Sequence, residues 1–183
     1  MINNGNYPIL TTQRLKLREH IESDKNSYFK LMSDPIAVRY YGRPVLNDIN
    51  DVDKEFNDIK KGFENSVFIK WGVELNSTNQ YIGCIGVWGL NNSHQKATIS
   101  CIFLPEYWGK GLAREALMKV IHYLFSDLQL NRLQLYVDPI NQRAVQLFKN
   151  TGFQLEGILR EYEYEYGHYV DIAIMSLLKK DIL

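Results

Sequence analysis

Charged and apolar residues alternate through Arg14-Leu15-Lys16-Leu17-Arg18, the period of a half-buried strand. Glu22 to Ser33 reads as a helix that Ser23 or Asp24 can cap and Asp34-Pro35 closes. Ile49, Val52, Phe56, Ile59 and Phe63 recur at helical spacing and predict a second amphipathic helix. Three strand-like runs follow: Val67 to Leu75, Tyr81 to Leu90 and Lys96 to Leu104. Their separators, Asn76-Ser77-Thr78-Asn79 and Asn91-Asn92-Ser93, carry hairpin chemistry, so the runs predict an antiparallel meander. The period then changes. Leu112, Ala113, Ala116, Leu117, Val120, Ile121, Leu124 and Phe125 form a helical stripe. Arg132 to Val137 is a strand, Asn141 to Asn150 a short helix stopped by Gly152, and two strands close the chain at Phe153 to Tyr162 and Tyr169 to Leu178. A meander followed by strand–helix–strand–helix–strand predicts an α+β domain, a mixed sheet with helices on its faces.

Composition narrows the classes of function. The chain has 183 residues, 45% of them hydrophobic, which suits one domain with a full core. Lys and Arg number 21 and Asp and Glu 21, so no bulk positive charge points to nucleic acid. No apolar run approaches the ~18 residues of a membrane span. The start, MINNGNYPIL, lacks the basic and apolar regions of a secretory signal, and the expected location is cytoplasmic. Cys84 and Cys101 sit in apolar strand-like runs without CxxC or Cys/His neighbours, and His20, His94, His122 and His168 are scattered, so no metal is expected.

Leu104-Pro105-Glu106-Tyr107-Trp108-Gly109-Lys110-Gly111-Leu112-Ala113-Arg114 joins a strand to a helix through two glycines. A helix start offers unpartnered N–H groups and a positive dipole end, and glycine lets a ligand approach the backbone. The combination suits a pyrophosphate, with Lys110 and Arg114 adding charge. It is neither a dinucleotide fingerprint, since Arg114 replaces the third glycine, nor a Walker loop, since Gly-Lys-Ser/Thr is missing. On GxG alone, a tight strand–helix turn explains it as well.

Trp108-Gly109-Lys110-Gly111-Leu112-Ala113 resembles the Gln/Arg-x-x-Gly-x-Gly/Ala signature of the GNAT superfamily of N-acetyltransferases, with Trp108 in place of the first Gln or Arg. Asn141-Gln142-Arg143-Ala144, then Gly152-Phe153, resembles that superfamily's Asn-x-x-Ser/Ala…Gly-Phe segment. Thr12-Gln13-Arg14-Leu15-Lys16-Leu17-Arg18, Leu155-Glu156-Gly157-Ile158-Leu159-Arg160-Glu161 and Gly167-His168-Tyr169-Val170-Asp171 are similar to its RimJ/RimL branch, the ribosomal-protein alanine/serine N-terminal acetyltransferases. The likeness runs from about Pro8 to Leu178, one domain over 8–178 with short termini.

The resemblance implies a mostly antiparallel sheet of about seven strands with a splayed pair. It also implies acetyl-CoA as co-substrate and direct attack by an amine. The pyrophosphate would lie on Gly109, Lys110, Gly111, Leu112, Ala113 and Arg114, and the pantetheine arm on Asn141 and Phe148. The backbone of Ile102, Phe103 and Leu104 would pair with that arm. Asn141 reads equally as a helix N-cap. Glu163 matches the branch's base, although Glu161, Glu163 and Glu165 also alternate as a solvent face would. Phe148 and Ala144 lack the hydroxyls some relatives use on the leaving thiolate; Tyr40, Tyr41 or Tyr162 are stand-ins. Tyr40 and Tyr41 belong to the loop expected over the acceptor.

The expected acceptor is a protein N-terminal α-amine. An α-amine, pKa near 7.7–8.0, is roughly a tenth neutral at pH 7 and asks little of a base, whereas a lysine amine near 10.4 asks more. A polyamine or aminoglycoside-like amine is the alternative, and a non-catalytic acyl-CoA sensor a third reading. Neither nucleic acid nor membrane is an expected partner, and the chain is expected to be a monomer or homodimer.

Overall fold

The computed structural model describes residues 6–165 and 167–182, so part of the N-terminal segment read above lies outside it. Strands β1 (Leu10–Thr11) and β2 (Leu15–Arg18) precede three helices: α1 (Lys25–Ser33), α2 (Pro35–Val38) and α3 (Asp51–Glu64). The meander is β3 (Phe68–Leu75), β4 (Tyr81–Asn91) and β5 (Lys96–Phe103). Then come α4 (Leu112–Ser126), β6 (Arg132–Val137), α5 (Gln142–Lys149), β7 (Gln154–Glu165) and β8 (His168–Leu178).

These eight strands form one sheet in the order β1-β2-β3-β4-β5-β6-β8-β7. The expectation of about seven falls one short: β1, two residues long, carries too little periodicity to be seen. Every neighbouring pair is antiparallel except β5 and β6. That parallel pair is brief. Lys96, Ala97 and Thr98 face Arg132, Leu133 and Gln134, and beyond them the two strands part.

Two cores cover the two faces. The larger joins Leu117, Val120, Ile121 and Leu124 of α4 and Phe148 of α5 to Ile69, Trp71, Ile85, Val87 and Ile99 of the sheet. The smaller joins Tyr28, Leu31 and Met32 of α1, Val38 of α2 and Val52 of α3 to Tyr81, Cys84, Ile102 and Leu104. Ile102 and Phe103 are consecutive and enter different cores, as a strand's alternation requires.

Three local expectations are corrected. β2 is not half-solvated: Leu15 and Leu17 are fully buried and so, on the other face, is most of Arg18. Its guanidinium lies 2.7 Å from Asp24 and 2.5 Å from Glu74, which lets it stay charged inside. Asp24 is thereby committed, accepting also from Ile21 N–H at 2.9 Å, and does not cap α1 with its side chain. Asp34-Pro35 not only closes α1 but opens α2: Asp34 Oδ1 accepts from Ile36 N–H at 2.8 Å, with Pro35 at the first helical position. Among the described residues no helix is long and apolar enough to cross a membrane, and no group of three or more His, Cys, Asp or Glu is placed to hold a metal.

Candidate functional site

Where β5 and β6 part, a cleft of about 770 Å³ opens through the sheet. On one face it is walled by Gly109, Gly111 and the first turn of α4, and by α5 from Asn141 to Phe148. On the other it reaches Ile36 and Ala37 of α2 and the Arg39–Tyr41 loop. Cys101, Ile102 and Phe103 form its floor at the open edge of β5. Leu104 N–H is turned the opposite way, to Ile82 O on β4 at 2.9 Å. Alternation along the strand therefore points the backbone groups of Cys101 and Phe103 into the gap.

The loop before α4 is shaped by its glycines. Gly109 and Gly111 have φ of +74° and +75°, where a side chain would be strained. The first helical bond of α4 is Glu115 N–H to Gly111 O at 3.1 Å. The N–H groups of Leu112, Ala113 and Arg114 precede that bond, so they converge, unpaired within the helix, at its positive end. β2's approach clamps this loop. Glu115 accepts from Thr12 Oγ1 at 2.6 Å and from Arg14 Nε at 2.6 Å, and Arg14 Nη1 donates to Lys110 O at 3.1 Å. Thr12 and Arg14 are far away in sequence, and their place in the motif here has a physical reason.

Trp108 accounts for its own departure from the signature. Its indole N–H donates to Phe103 O at 2.7 Å, locking the end of β5 to the loop. Arg143 of α5 stacks on the ring, 4.3 Å from its centre, and borders the cleft. Arg114 Nε is tied to Asn150 O at 3.2 Å, which joins α4 to α5.

The expected site residues divide accordingly. Ile102, Phe103, Gly109, Gly111, Leu112, Ala113, Arg114, Asn141 and Phe148 line the cleft, as do Tyr40 and Tyr41. Lys110 is exposed beside it, its ammonium 5.2 Å from the centre of the Tyr107 ring. Leu104 is buried in the smaller core and does not border the cleft; Ile102 does, but its backbone, like that of Leu104, is turned to β4, so of the three expected residues only Phe103 presents its N–H to the gap. Asn141 caps α5, accepting from Ala144 N–H at 3.1 Å. Cys101 borders the cleft, but burial pushes its thiol up to about 12, so it is protonated at neutral pH.

Glu163 comes to the side of Gly42 by an irregularity. Leu159 pairs with Ile172 and Glu163 with Val170, so three residues oppose one. Glu161 sits in this bulge at φ +51°, its N–H donating to Asp171 Oδ1 at 2.8 Å. The bulge breaks the simple alternation of the three glutamates. Glu163 and Glu165 share a direction, toward Gly42: an atom on Gly42 in the Cβ position would lie 3.9 Å from a carboxylate oxygen of each. Burial, then the charge of Glu163, raises the pKa of Glu165. Glu165 was legible only as one of an alternating trio; Arg143, Ile36 and Ala37 carried no signal of their own.

Whole-chain likenesses agree with this geometry. The chain is 34% identical over 173 residues to the uncharacterized N-acetyltransferase YoaA of Bacillus subtilis, covering 94% of this chain and 98% of that protein. It is 26% identical over 170 residues to spermidine N(1)-acetyltransferase of Vibrio cholerae, covering 93% and 96%. The crystal structure of spermidine N-acetyltransferase from Vibrio cholerae in complex with CoA and spermine matches with a TM-score of 0.82 at 26% identity, over 93% of this chain and 98% of that one. With residues 14–154 matching the model of the acetyltransferase (GNAT) domain, on a sheet splayed beside a glycine-shaped helix start, the chain belongs to that family of acetyl-CoA-dependent N-acetyltransferases.

Proposed function

We propose that the chain acetylates a primary α-amine, with the acetyl donor in the 770 Å³ cleft and the acceptor arriving over Gly42. The observation that carries this is the position of the cleft. It joins a bundle of unpaired N–H groups on one face of the sheet to the Arg39–Tyr41 loop on the other, and Gly42, the next residue of that loop, faces the Glu163 and Glu165 carboxylates.

The residues fit acetyl-CoA. The α4 N–H groups and the positive-φ glycines suit its pyrophosphate, and the open edge of β5 suits the amide-bearing pantetheine arm. Acetyl-CoA supplies the activated acetyl group. The chain supplies the rest. Backbone N–H groups at the open edge of β5 face the position where a thioester oxygen gains charge. Glu163 takes the proton of the acceptor ammonium, directly or through water. Tyr41 borders the cleft, and burial holds its phenol well above the ordinary pKa, so it stays protonated there. The protonated Cys101 offers no nucleophile, in keeping with direct attack.

The N-terminal and C-terminal segments that resemble the RimJ/RimL branch support a peptide α-amine. A polyamine is the second reading. It is supported by the Glu163–Glu165 pair and by the relatives named for spermidine. Thiol release from acetyl-CoA, measured side by side with α-amine peptides, spermidine and an aminoglycoside, decides between them. Release with peptides but not spermidine is expected; the reverse selects the second reading, and CoA binding without any release selects the sensor.

A further inference from the structure

A second cavity, about 340 Å³, opens beside the cleft and shares Tyr41 with it. Its other lining residues are Phe68 and Lys70 of β3 and Gly86 and Trp88 of β4. Gly86 stands two residues from Cys84, which enters the smaller core, so the cavity lies on the α1–α3 face of the sheet. Gly86 pairs with Ser100, whose neighbour Cys101 belongs to the floor of the cleft, and paired strands stand about 5 Å apart. The two cavities are therefore adjacent: one tyrosine borders both, and one strand spacing separates their floors.

The surface of this cavity is apolar, and the polar group nearest it is committed elsewhere. Phe68 and Trp88 are a cross-strand pair. The Phe68 ring fills the room that Gly62 of α3 leaves, where a Cβ would clash with it, and this packing holds the ring in place. Trp88 keeps 42% of its surface exposed. Gly86 gives the floor its depth, since a Cβ there would stand 3.1 Å from Cζ3 of the Trp88 ring. Lys70 offers its methylenes, because its ammonium donates to Tyr28 Oη at 2.8 Å and Tyr28 in turn donates to Glu55 at 2.5 Å. An apolar cavity of about 150 Å³ already takes up a benzene ring, so this one has room for an aromatic or branched aliphatic group.

Resting on acetyl transfer as the activity, we propose that this cavity holds a bulky apolar group of the acceptor, carried next to the amine that is acetylated. The amine lies on the Glu163–Glu165 side of Gly42, and the apolar group lies past Tyr41, against Phe68 and Trp88. A peptide beginning with Phe and a free arylalkylamine both have this chemistry. A peptide beginning with Ala leaves the cavity unfilled. A polyamine brings further ammonium groups to a wall that cannot pair them, and burying an unpaired charge is costly.

The test is thiol release with four acceptors: a peptide amide beginning with Phe, the same amide beginning with Ala, phenethylamine, and spermidine. The Phe amide is expected to have a KM about tenfold below the Ala amide, the effect of burying part of one aromatic side chain. Phenethylamine separates the sources: a KM near that of the Phe amide points to a free amine and a much higher one to a peptide, and either upholds the subsite. Trp88→Ala removes a half-exposed wall and should abolish the preference for Phe over Ala. Gly86→Ala, which displaces the Trp88 ring, should cut that preference about threefold or more. CoA affinity, taken by calorimetry on each preparation, shows that the variants are folded. Equal KM for the Phe and Ala amides, a preference that both variants keep, or a spermidine KM below both amides overturns the proposal. Absence of release from every amine would count against acetyl transfer itself. Calorimetric titration of the Phe peptide amide into CoA-loaded protein then decides the cavity. Binding weakened by Trp88→Ala upholds it, and no binding by the unmodified protein overturns it.

Discussion

On the α4–α5 side of the sheet the cleft is made of backbone: N–H groups ahead of the first helical bond, two glycines at positive φ, and the open edge of β5. On the α1–α3 side it is bordered by side chains of α2 and of the Arg39–Tyr41 loop, and Glu163 and Glu165 of β7 face that loop at Gly42. The first material recognises a phosphate and an extended amide chain, which every acetyl-CoA carries. The second recognises whatever its particular side chains match. A cofactor site can therefore tolerate Trp108 at a signature position, because the backbone donors do not depend on it. An acceptor site changes its choice with one residue.

The contrast can be broken most strongly at Glu163. Glu163→Gln should lower kcat roughly 100-fold or more while CoA affinity, measured by calorimetry, stays within about twofold. A variant that loses CoA affinity in proportion would place Glu163 in the cofactor site and not at the acceptor.

The two cores should differ in their response to pH. His20 is buried among Tyr28, Phe56 and Tyr81, with Lys70, Asp24 and Arg18 as its charged surroundings. Burial first, then the charge of Lys70, lowers its pKa from 6.5 to about 3. Folded protein thus excludes a proton that the unfolded chain binds below about 6.5. The neutral ring costs nothing above that pH, and stability is lost as pH falls from there toward 3, by up to about 1.4 kcal/mol per pH unit. Urea denaturation at pH 7 and pH 5 should show this loss, and His20→Phe should flatten it. An unchanged slope in the variant would assign the pH dependence to the ion-paired carboxylates.

A smaller effect sharpens the opposite side. Gly111→Val forces a β-branched residue to φ +75°, at a cost of roughly 1–2 kcal/mol or more. CoA affinity should fall about tenfold, since the α4 N–H groups are displaced, while the acceptor KM stays near its original value. Equal weakening of both ligands would mean that the loop governs the whole cleft.

Legibility followed the same division. Gly109, Gly111 and Asn141 stand in short segments whose geometry is local, so periodicity and turn chemistry sufficed to place them. The limits of β6, Arg132–Val137, match the expectation residue for residue, because the run is apolar, short and flanked by turns. Expectation failed where one residue answered to a distant partner. Arg18 read as the polar face of a half-buried strand and Asp24 as one of two candidate helix caps, but each is drawn inside by the other. Ile102 and Leu104 were grouped with Phe103, but their backbones turn to β4, since a strand sends the groups of successive residues to opposite sides.

The amino-acid sequence alone determined the order of elements, the α+β class, the glycine-shaped helix start and, by resemblance, the family. Each of these depends on interactions within about a dozen residues, where spacing along the chain is spacing in space. Only the tertiary structure decided the splay of β5 from β6 and the bulge that turns Glu163 and Glu165 toward Gly42. Both are matters of strand register, and register is fixed by the packing of whole faces against helices, which no window of sequence contains.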